Sequence, residues 1–477
     1  MGDLFSSMLT TSGALQAYGR VLQVVQNNVA NSSTPGYAKQ EQVLEAMPFD
    51  TTGGLSGGVQ AGAIQSARSD YADQAVRRET TLLGQAQQDV NSLSSLQTYF
   101  DISGDTGIPK ALNDLFSSFS DWAQTPDDAV ARETVLQHAA DVATAFQQSV
   151  ANVAGAAQDT ETQITKTVAD INELAGNLRD YNVEVLSGRK GDAGLDAQIH
   201  STLEELSQYG DITVLPQNDG AMTVLLNGQT PLVVADHQYQ ISAAPVVPDN
   251  PPPTNPGGRA AMHIFASDGT DITSATTGGQ LGSLLDFHNR ILASYLGDAY
   301  QEGDLNQLAQ QFADRVNQLL TAGDISDGSP GVPLFSYDTT NPSNVAASLS
   351  VATGMTADQL AAIDPGPPYA ANGTALALSN LEKPQSAADE IDGQSYSEFY
   401  GSLASRVGDN LSQASNQLQV QQSAVAQAKN LQQQMSGVSL DEEASLMLQF
   451  QRSYEANARL LTVIDQLTED TINILPT

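Results

Sequence analysis

The chain has 477 residues, no cysteine, and 55 acidic against 19 basic residues, for a formal charge of −36. The missing cysteines exclude disulfides, thiolate metal sites and a cysteine nucleophile, and the acidic excess argues against polyanions such as nucleic acid or anionic lipid as partners. The length exceeds a single ordinary core and predicts roughly two to four domains.

From the start, Leu4, Met8, Leu15, Tyr18, Leu22, Val25 and Val29 recur at close to heptad spacing, and only Asp3 and Arg20 are charged before Pro35. That pattern predicts a helix with one apolar stripe. The stretch lacks the basic cluster and apolar run of a conventional signal peptide, and no segment has the length of a membrane span. On those grounds alone the expectation is cytoplasmic, leaving open export routes that read an uncleaved terminus. Turn formers at Asn31-Ser32-Ser33-Thr34-Pro35-Gly36-Tyr37 should stop the helix. Residues 38–68 read as short strands or loop around the glycine-rich 53–58, which lacks the Gly-Lys-Ser/Thr ending of a phosphate cradle.

Helix is predicted from Asp70 to about Phe100, followed by a break over Ser103–Pro109 and an aromatic face of Phe116, Phe119 and Trp122 that reads as core. No proline occurs between Pro126 and Pro216, and two apolar stripes, Val130–Val153 and Ile164–Val185, separated by Gly155, predict two long antiparallel or segmented helices. A shorter helix, Leu195–Leu206, precedes β-type runs at 212–215, 222–226 and 232–234, with Asn227-Gly228 as a hairpin turn. The β character continues at 239–243 and 263–266, around an exposed polyproline-like loop over Pro245–Pro253. Helices return with Leu284–Tyr295 and Leu305–Leu319; 321–390 is loop-rich, with short strands expected near Ala346–Val351 and a short helix at Ala357–Ala362.

The last tract starts at Tyr396, breaks at Ser436-Gly437, and ends in a helix with Leu440, Ala444, Met447, Phe450, Tyr454, Ala458, Leu461, Ile464, Leu467 and Ile472 on one side and Glu442, Glu443, Gln449, Arg452, Glu455 and Arg459 on the other. A rod so thin has no core of its own and needs a partner for its stripe. The opening helix can supply it, making the middle of the chain an insertion between paired ends; the alternative is that each end docks separately on the body.

Little in the chain points to chemistry. His138, His200, His237, His263 and His288 show no metal-ligand spacing, and Asp268-Gly269-Asp271 and Asp324, Asp327, Gly328 lack the closing Glu of a calcium loop. No nucleophile elbow, dinucleotide fingerprint or P-loop is present. The expectation is a non-enzyme with no catalytic, metal or cofactor-binding residues, and no cofactor.

Two stretches carry a resemblance. Gln26-Asn27-Asn28-Val29-Ala30-Asn31 through Thr34-Pro35-Gly36-Tyr37 resembles the N-terminal signature of the flagellar rod, hook and hook-associated axial proteins. Ser436-Gly437-Val438-Ser439-Leu440-Asp441-Glu442-Glu443, with Leu446, Phe450, Gln451, Tyr454, Ala456 and Asn457, is similar to the close of the family's hook-associated branch; hook and rod proteins more often carry an Asn-Val-Asp-x-x-x-Glu pattern there. The interior also resembles that branch, with departures at Lys39, where Arg is usual, at Val29 for Ile, and at Gln198-Ile199-His200.

The resemblance implies a structural protein exported by the flagellar type III apparatus, forming a homo-oligomeric ring at the junction of hook and filament. It implies the hook protein FlgE and the junction protein FlgL as neighbours, and FlgN as export chaperone. Another axial subunit, hook-like or flagellin-like, is the alternative, and a secreted enzyme or adhesin on a flagellar scaffold the remoter one. The fold expected is multidomain and mainly α. Residues 1–50 with 436–477 would form a coiled-coil-like terminal unit, 51–206 with 276–320 and 391–435 a long-helix bundle, 207–275 a small β-rich unit, and 321–390 a loop-rich segment.

Overall fold

The computed structural model describes residues 2–50, 55–100, 105–249, 253–255, 257–326, 328–367 and 369–474. Parts of the glycine-rich turn (Gly53-Gly54), of the break after the second helix (Ser103-Gly104), of the proline loop (250–252), and Asp327 lie outside them.

Helix α1 (Gly2–Ala30) leads into strands β1 (Gln40–Ala46), β2 (Phe49–Asp50), β3 (Leu55–Ser56) and β4 (Val59–Ser66), which form two nested antiparallel pairs, β1 with β4 and β2 with β3. Helices α2 (Asp70–Gln97), α3 (Gly107–Gln124), α4 (Ala129–Glu184) and α5 (Ala193–Tyr209) follow. Ser69 caps α2, Asp128 caps α4 and Asp192 caps α5, each accepting from a backbone N–H of the first turn. Strands β5 (Ile212–Pro216), β6 (Met222–Leu226), β7 (Thr230–Val234) and β8 (His237–Gln238) form an antiparallel meander, and β9 (Ser242–Val246) pairs with β10 (Ala261–Phe265). Both residues of the Asn227-Gly228 turn have positive φ, 53° and 70°, as a type I′ turn requires.

Helices α6 (Gly279–Asp286) and α7 (Ala293–Leu296) flank a π-helical segment, Phe287–Leu292. Then come α8 (Asp304–Ala322), strand β11 (Phe335–Ser336), the single turn α9 (Val345–Ser348), strand β12 (Ser350–Val351) and α10 (Gly373–Ser379). The chain ends in α11 (Tyr396–Ser436), opened by a Ser395/Glu398 capping box, and α12 (Leu440–Ile474). The architecture is mainly α, with α2 paired to α11 and α1 to α12.

Two hydrophobic cores are present. The first gathers Phe116, Phe119 and Trp122 of α3, Val135–Phe146 of α4, Phe312 of α8 and Tyr396–Val407 of α11. Phe312 meets Phe116 and Tyr396 edge-on at 6.1 and 5.3 Å. Leu334, Phe335, Val345, Leu360, Leu378 and Ile391 close the same core, so 321–390, though irregular, is packed through its apolar members. The second core combines Ile164–Leu178 of α4 with Ile199 and Leu203 of α5, Val224, Leu226, Leu232 and Val233 of the meander, and Leu281 and Leu284 of α6.

Four expectations are corrected. The predicted division at Gly155 does not occur: α4 is one 56-residue helix serving both cores. An exposed glycine weakens a helix interior by only about 1 kcal/mol, which the two flanking stripes outweigh. Val345–Ser348 forms a helical turn, leaving only Ser350–Val351 as strand, and the helix expected at 357–362 is a 3-10 turn, Ala357–Gln359. Strand β9 runs through Pro245 to Val246, because a two-stranded pair tolerates a proline that donates nothing.

The joined termini as candidate functional site

Asn28 sits in the last turn of α1, two residues before its end, and is 1% exposed. Its Oδ1 accepts from the Tyr37 hydroxyl (2.9 Å) and the Gln40 amide (3.0 Å), and its Nδ2 donates to the Gln40 carbonyl (2.9 Å) and to Glu443 Oε2 (3.2 Å). Every hydrogen-bonding position of this amide is filled. Asn27 donates to the Tyr37 hydroxyl (3.1 Å), and Asn31 accepts from Thr34 (3.1 Å) and donates to Asn27 Oδ1 (3.0 Å). The resemblance-bearing residues at the two ends of the chain therefore form one hydrogen-bonded clamp.

Glu443 is the largest departure from the sequence reading. It was expected on the polar face of the last helix, but its side chain is fully buried against α1. Its second oxygen lies 3.8 Å from Lys39 Nζ, which also sits 3.2 Å from Glu442 and 3.4 Å from Glu41. A buried carboxylate is tolerable only when paired, and Lys39 with Asn28 supplies the pairing. Burial alone would lower the Lys39 ammonium pKa, but the hydrogen bonds and charges of Glu442 and Glu41 outweigh it and the net shift is upward. The Tyr37 hydroxyl is pushed up by burial and by the Glu443 charge, against the hydrogen bond from Asn27.

A second cluster fixes the elbow between α11 and α12. Arg68 donates to Asp196 (2.9 and 2.6 Å), to Asp73 (3.0 Å) and to the Gly36 carbonyl (2.6 Å), and Asp73 accepts from Gln432 of α11 (2.7 Å). His200 Nδ1 lies 3.2 Å from Asp73. Burial would raise the Asp73 pKa; the close His200 ring, the hydrogen bond from Gln432 and the charge of Arg68 reverse that and hold it well below the carboxylate range. One arginine thus ties the turn after α1 to α2 and α5, and Asp73 extends the tie to α11. The Ser436 carbonyl accepts from the Lys39 amide (2.8 Å) and its hydroxyl from the Ser69 amide (2.9 Å). Gly36 has φ +73°, and a Cβ there would lie 2.2 Å from the Ala197 carbonyl, so only glycine fits.

Beyond the clamp, α1 and α12 form a two-helix rod. Tyr18 and Phe450, both on the expected stripes, meet with ring centroids 5.8 Å apart. Val25 and Ile464 are buried, and Leu4, Leu15, Leu22, Met447 and Leu461 are half-buried. Met8, Val29, Leu440 and Tyr454 are exposed. Small and polar residues take part of the seam instead: Thr11, Ala14, Ala17 and Val21 are buried on α1, and Ser453 and Asn457 are half-buried on α12. The reason is a third layer, the β1–β4 hairpin, which covers α1 from another side; Thr10 bonds Ser56 across it (3.3 Å). The positive φ of Gly58, 123°, is the local sign of that close approach, since a Cβ there would meet Thr10 at 2.9 Å. Phe5, Leu9, Leu448, Leu460, Val463 and Leu467 remain exposed on the outside of the rod.

Among the described residues, no group of three or more His, Asp or Glu is placed to hold a metal ion, and no helix is long and apolar enough to cross a membrane. Of the sequence-predicted site residues, the clamp brings together Asn27, Asn28, Asn31, Thr34, Tyr37, Glu442 and Glu443; Gly36 joins the arginine cluster, Gly437 forms the elbow, and Asp441 is exposed in the first turn of α12. Sequence reasoning missed Arg68, Asp73, Asp196 and Gln432, whose signal was an arginine and three polar residues at helix positions no periodicity separates from solvent.

Comparison with known proteins is consistent across the chain. Residues 93–335 match the model of the flagellar hook-associated protein FlgK helical domain, and residues 431–474 match that of the flagellar basal body rod FlgEFG protein C-terminal. The chain is 26% identical to flagellar hook-associated protein 1 of Bacillus subtilis, with 99% of each chain covered, and 22% identical to that of Escherichia coli, covering 99% of this chain and 100% of the other. The solved flagellar hook junction protein FlgK of Burkholderia pseudomallei is similar in fold, with a TM-score of 0.63, 16% identity, and coverage of 76% of this chain and 100% of that one.

Proposed function

The chain belongs to the FlgK family of flagellar hook-associated proteins, and from that premise we propose that it is a structural subunit joining hook to filament in the bacterial flagellum. The observation that carries this reading is the pairing of both chain ends into one rod, locked at its base by Asn28 and Glu443 and apolar on its outside at Leu448, Leu460, Val463 and Leu467. A thin rod with exposed large apolar side chains is made to be covered by neighbours. On this reading residues 1–50 with 436–477 line the axis of a homo-oligomeric ring, the remaining units, including 207–275, stand outward in solvent, and the neighbours are the hook protein FlgE and the junction protein FlgL. The subunit is secreted through the flagellar type III route, with a FlgN-type chaperone covering the α12 apolar surface beforehand.

Deleting residues 440–477 should abolish incorporation between hook and filament while the truncated protein stays folded; normal incorporation would overturn the reading. The sharper variant is Leu460→Asp with Val463→Asp, which leaves the α1 seam intact and places two carboxylates where a neighbour must desolvate them. Assembly should fail, and calorimetric titration with the chaperone shows whether the same face serves export.

A further inference from the structure

We propose that three asparagines fix the register of the β-rich segment, β5 to β10, on helix α4, so that segment and helix move as one rigid body. Asn172 and Asn182 stand on α4, and Asn289 in the π-helical segment Phe287–Leu292. Each side-chain amide grips both backbone groups of a single residue. Asn172 accepts from the Ile241 N–H (3.0 Å) and donates to the Ile241 carbonyl (2.8 Å). Asn182 does the same at Met222 (2.9 and 2.8 Å) and donates again to the Ala235 carbonyl (2.8 Å), and Asn289 grips Met262 at 2.8 Å on both sides. Asn289 in turn lies 2.8 Å from His288, whose other ring nitrogen is 3.1 Å from Glu161 of α4. All three grips therefore trace back to α4, at residues 161, 172 and 182, over about 30 Å of one helix.

An amide placed this way satisfies an N–H and a carbonyl that burial keeps from water. Ile241 is buried between β8 and β9, outside either strand, and buried Met262 stands opposite Pro245, which has no N–H to give. The apolar contacts between the β segment and α4 are non-directional and tolerate sliding. A grip on both groups of one residue does not: a shift by one residue would set donor against donor. The amide orientations follow from the same pairing, since a flipped side chain would face each N–H with an NH2 group. The two-point grip recurs where other strands meet helices, with Asn317 of α8 on Phe335 of β11 and Asn28 of α1 on Gln40 of β1. Because α4 enters both hydrophobic cores, a load on the outer face of the meander reaches the aromatic core without crossing a hinge.

Because the chain has no cysteine, Gln137→Cys on α4 and Leu215→Cys on β5, both exposed, take a pair of spin labels whose distance distribution reports the motion of segment against helix. With the asparagines intact the distribution should be single and narrow. Asn172→Asp with Asn182→Asp keeps the side-chain size and the acceptors but removes the donors, and at neutral pH the width should grow at least about twofold. Acidification to about pH 4 protonates a buried carboxyl, which can then donate to the carbonyl again, and should narrow the distribution. Packing alone gives no such return. A broad distribution with the asparagines intact, a narrow one in the folded variant at neutral pH, or one still broad at the acid pH would each overturn the proposal. If the double variant fails to fold, Asn172→Leu is read by amide exchange: the Ile241 amide should exchange at least about tenfold faster with Val224 unchanged, and an Ile241 amide as slow as in the parent would overturn the proposal.

Discussion

The body around Trp122 and the rod of α1 and α12 differ in how completely they bury their large apolar residues. In the body, Trp122, Phe116, Phe119, Phe146 and Phe312 are almost inaccessible and pack on one another from helices distant in sequence. In the rod, small residues such as Thr11, Ala14 and Ala17 share the buried positions with Val25 and Ile464, and several large apolar side chains face outward. The body is finished within one chain; on the proposed reading the rod is half of an interface. Phe312→Ala should therefore destabilise the body by about 3–5 kcal/mol and lower its melting temperature. Phe450→Ala, which removes the ring contact with Tyr18 and touches neither core, should leave that transition in place and appear as faster amide exchange in α1 and α12. Rod amides as strongly protected as Ile164–Val185 in a confirmed monomer would break the contrast.

Between the two regions, the Arg68–Asp73 cluster couples rod to body and should show the next largest effect. Arg68→Ala leaves Asp73, 3% exposed, without its cation, a loss of about 3 kcal/mol read as undocking of α11 from α2. The pH dependence follows in sign. The folded pKa of Asp73 is lowered from the ordinary 3.8, so its stabilisation is complete above that value and disappears as pH falls through the lowered one. Limited proteolysis near Gly437 should accelerate on acidification below about pH 4. Asp73→Asn should be cut faster at neutral pH and lose most of that acid response; an unchanged response would remove Asp73 from the coupling.

The clamp itself comes next. Asn28→Asp places a carboxylate against Glu443 and removes the donors to Gln40 and Glu443, for a loss of about 1–3 kcal/mol localised to the rod base. Body melting should stay within error of the parent, with exchange increasing over residues 439–450. If the body melts earlier instead, rod and body are one cooperative unit.

The long helices, the hairpin at Asn227-Gly228 and the pairing of the termini were legible because each rests on local chemistry: periodicity, turn residues, complementary stripes. The seam was legible only in part. Periodicity weights large apolar residues, so it centred α1 on Leu15 and Leu22, whereas the hairpin drew Ala14, Ala17 and Val21 inward. Glu443 read as solvent-facing because nothing local shows that Asn28 and Lys39, some four hundred residues earlier in the chain, are waiting for it. Arg68 and Asp73 were silent for the same reason: a tie among four elements has no sequence period.

The smallest expected effect tests the one helix that both cores share. Gly155 lies on the exposed side of α4, near the end of the stretch that packs into the core of Trp122 and ahead of the stretch that packs on the meander, and a Cβ there would meet no atom within 4 Å. If α4 is a stiff beam, Gly155→Ala relieves the backbone entropy of glycine and stabilises by about 0.5–1 kcal/mol, raising the melting temperature by about 2 °C. A beam would also pass strain from the β-rich end to the aromatic core, so the two cores should melt together in parent and variant alike. If the glycine is instead a flexion point that assembly requires, the substituted protein would melt higher and still incorporate poorly. Calorimetry beside a filament-formation assay separates the two, and a destabilised Gly155→Ala protein would contradict the continuous helix itself.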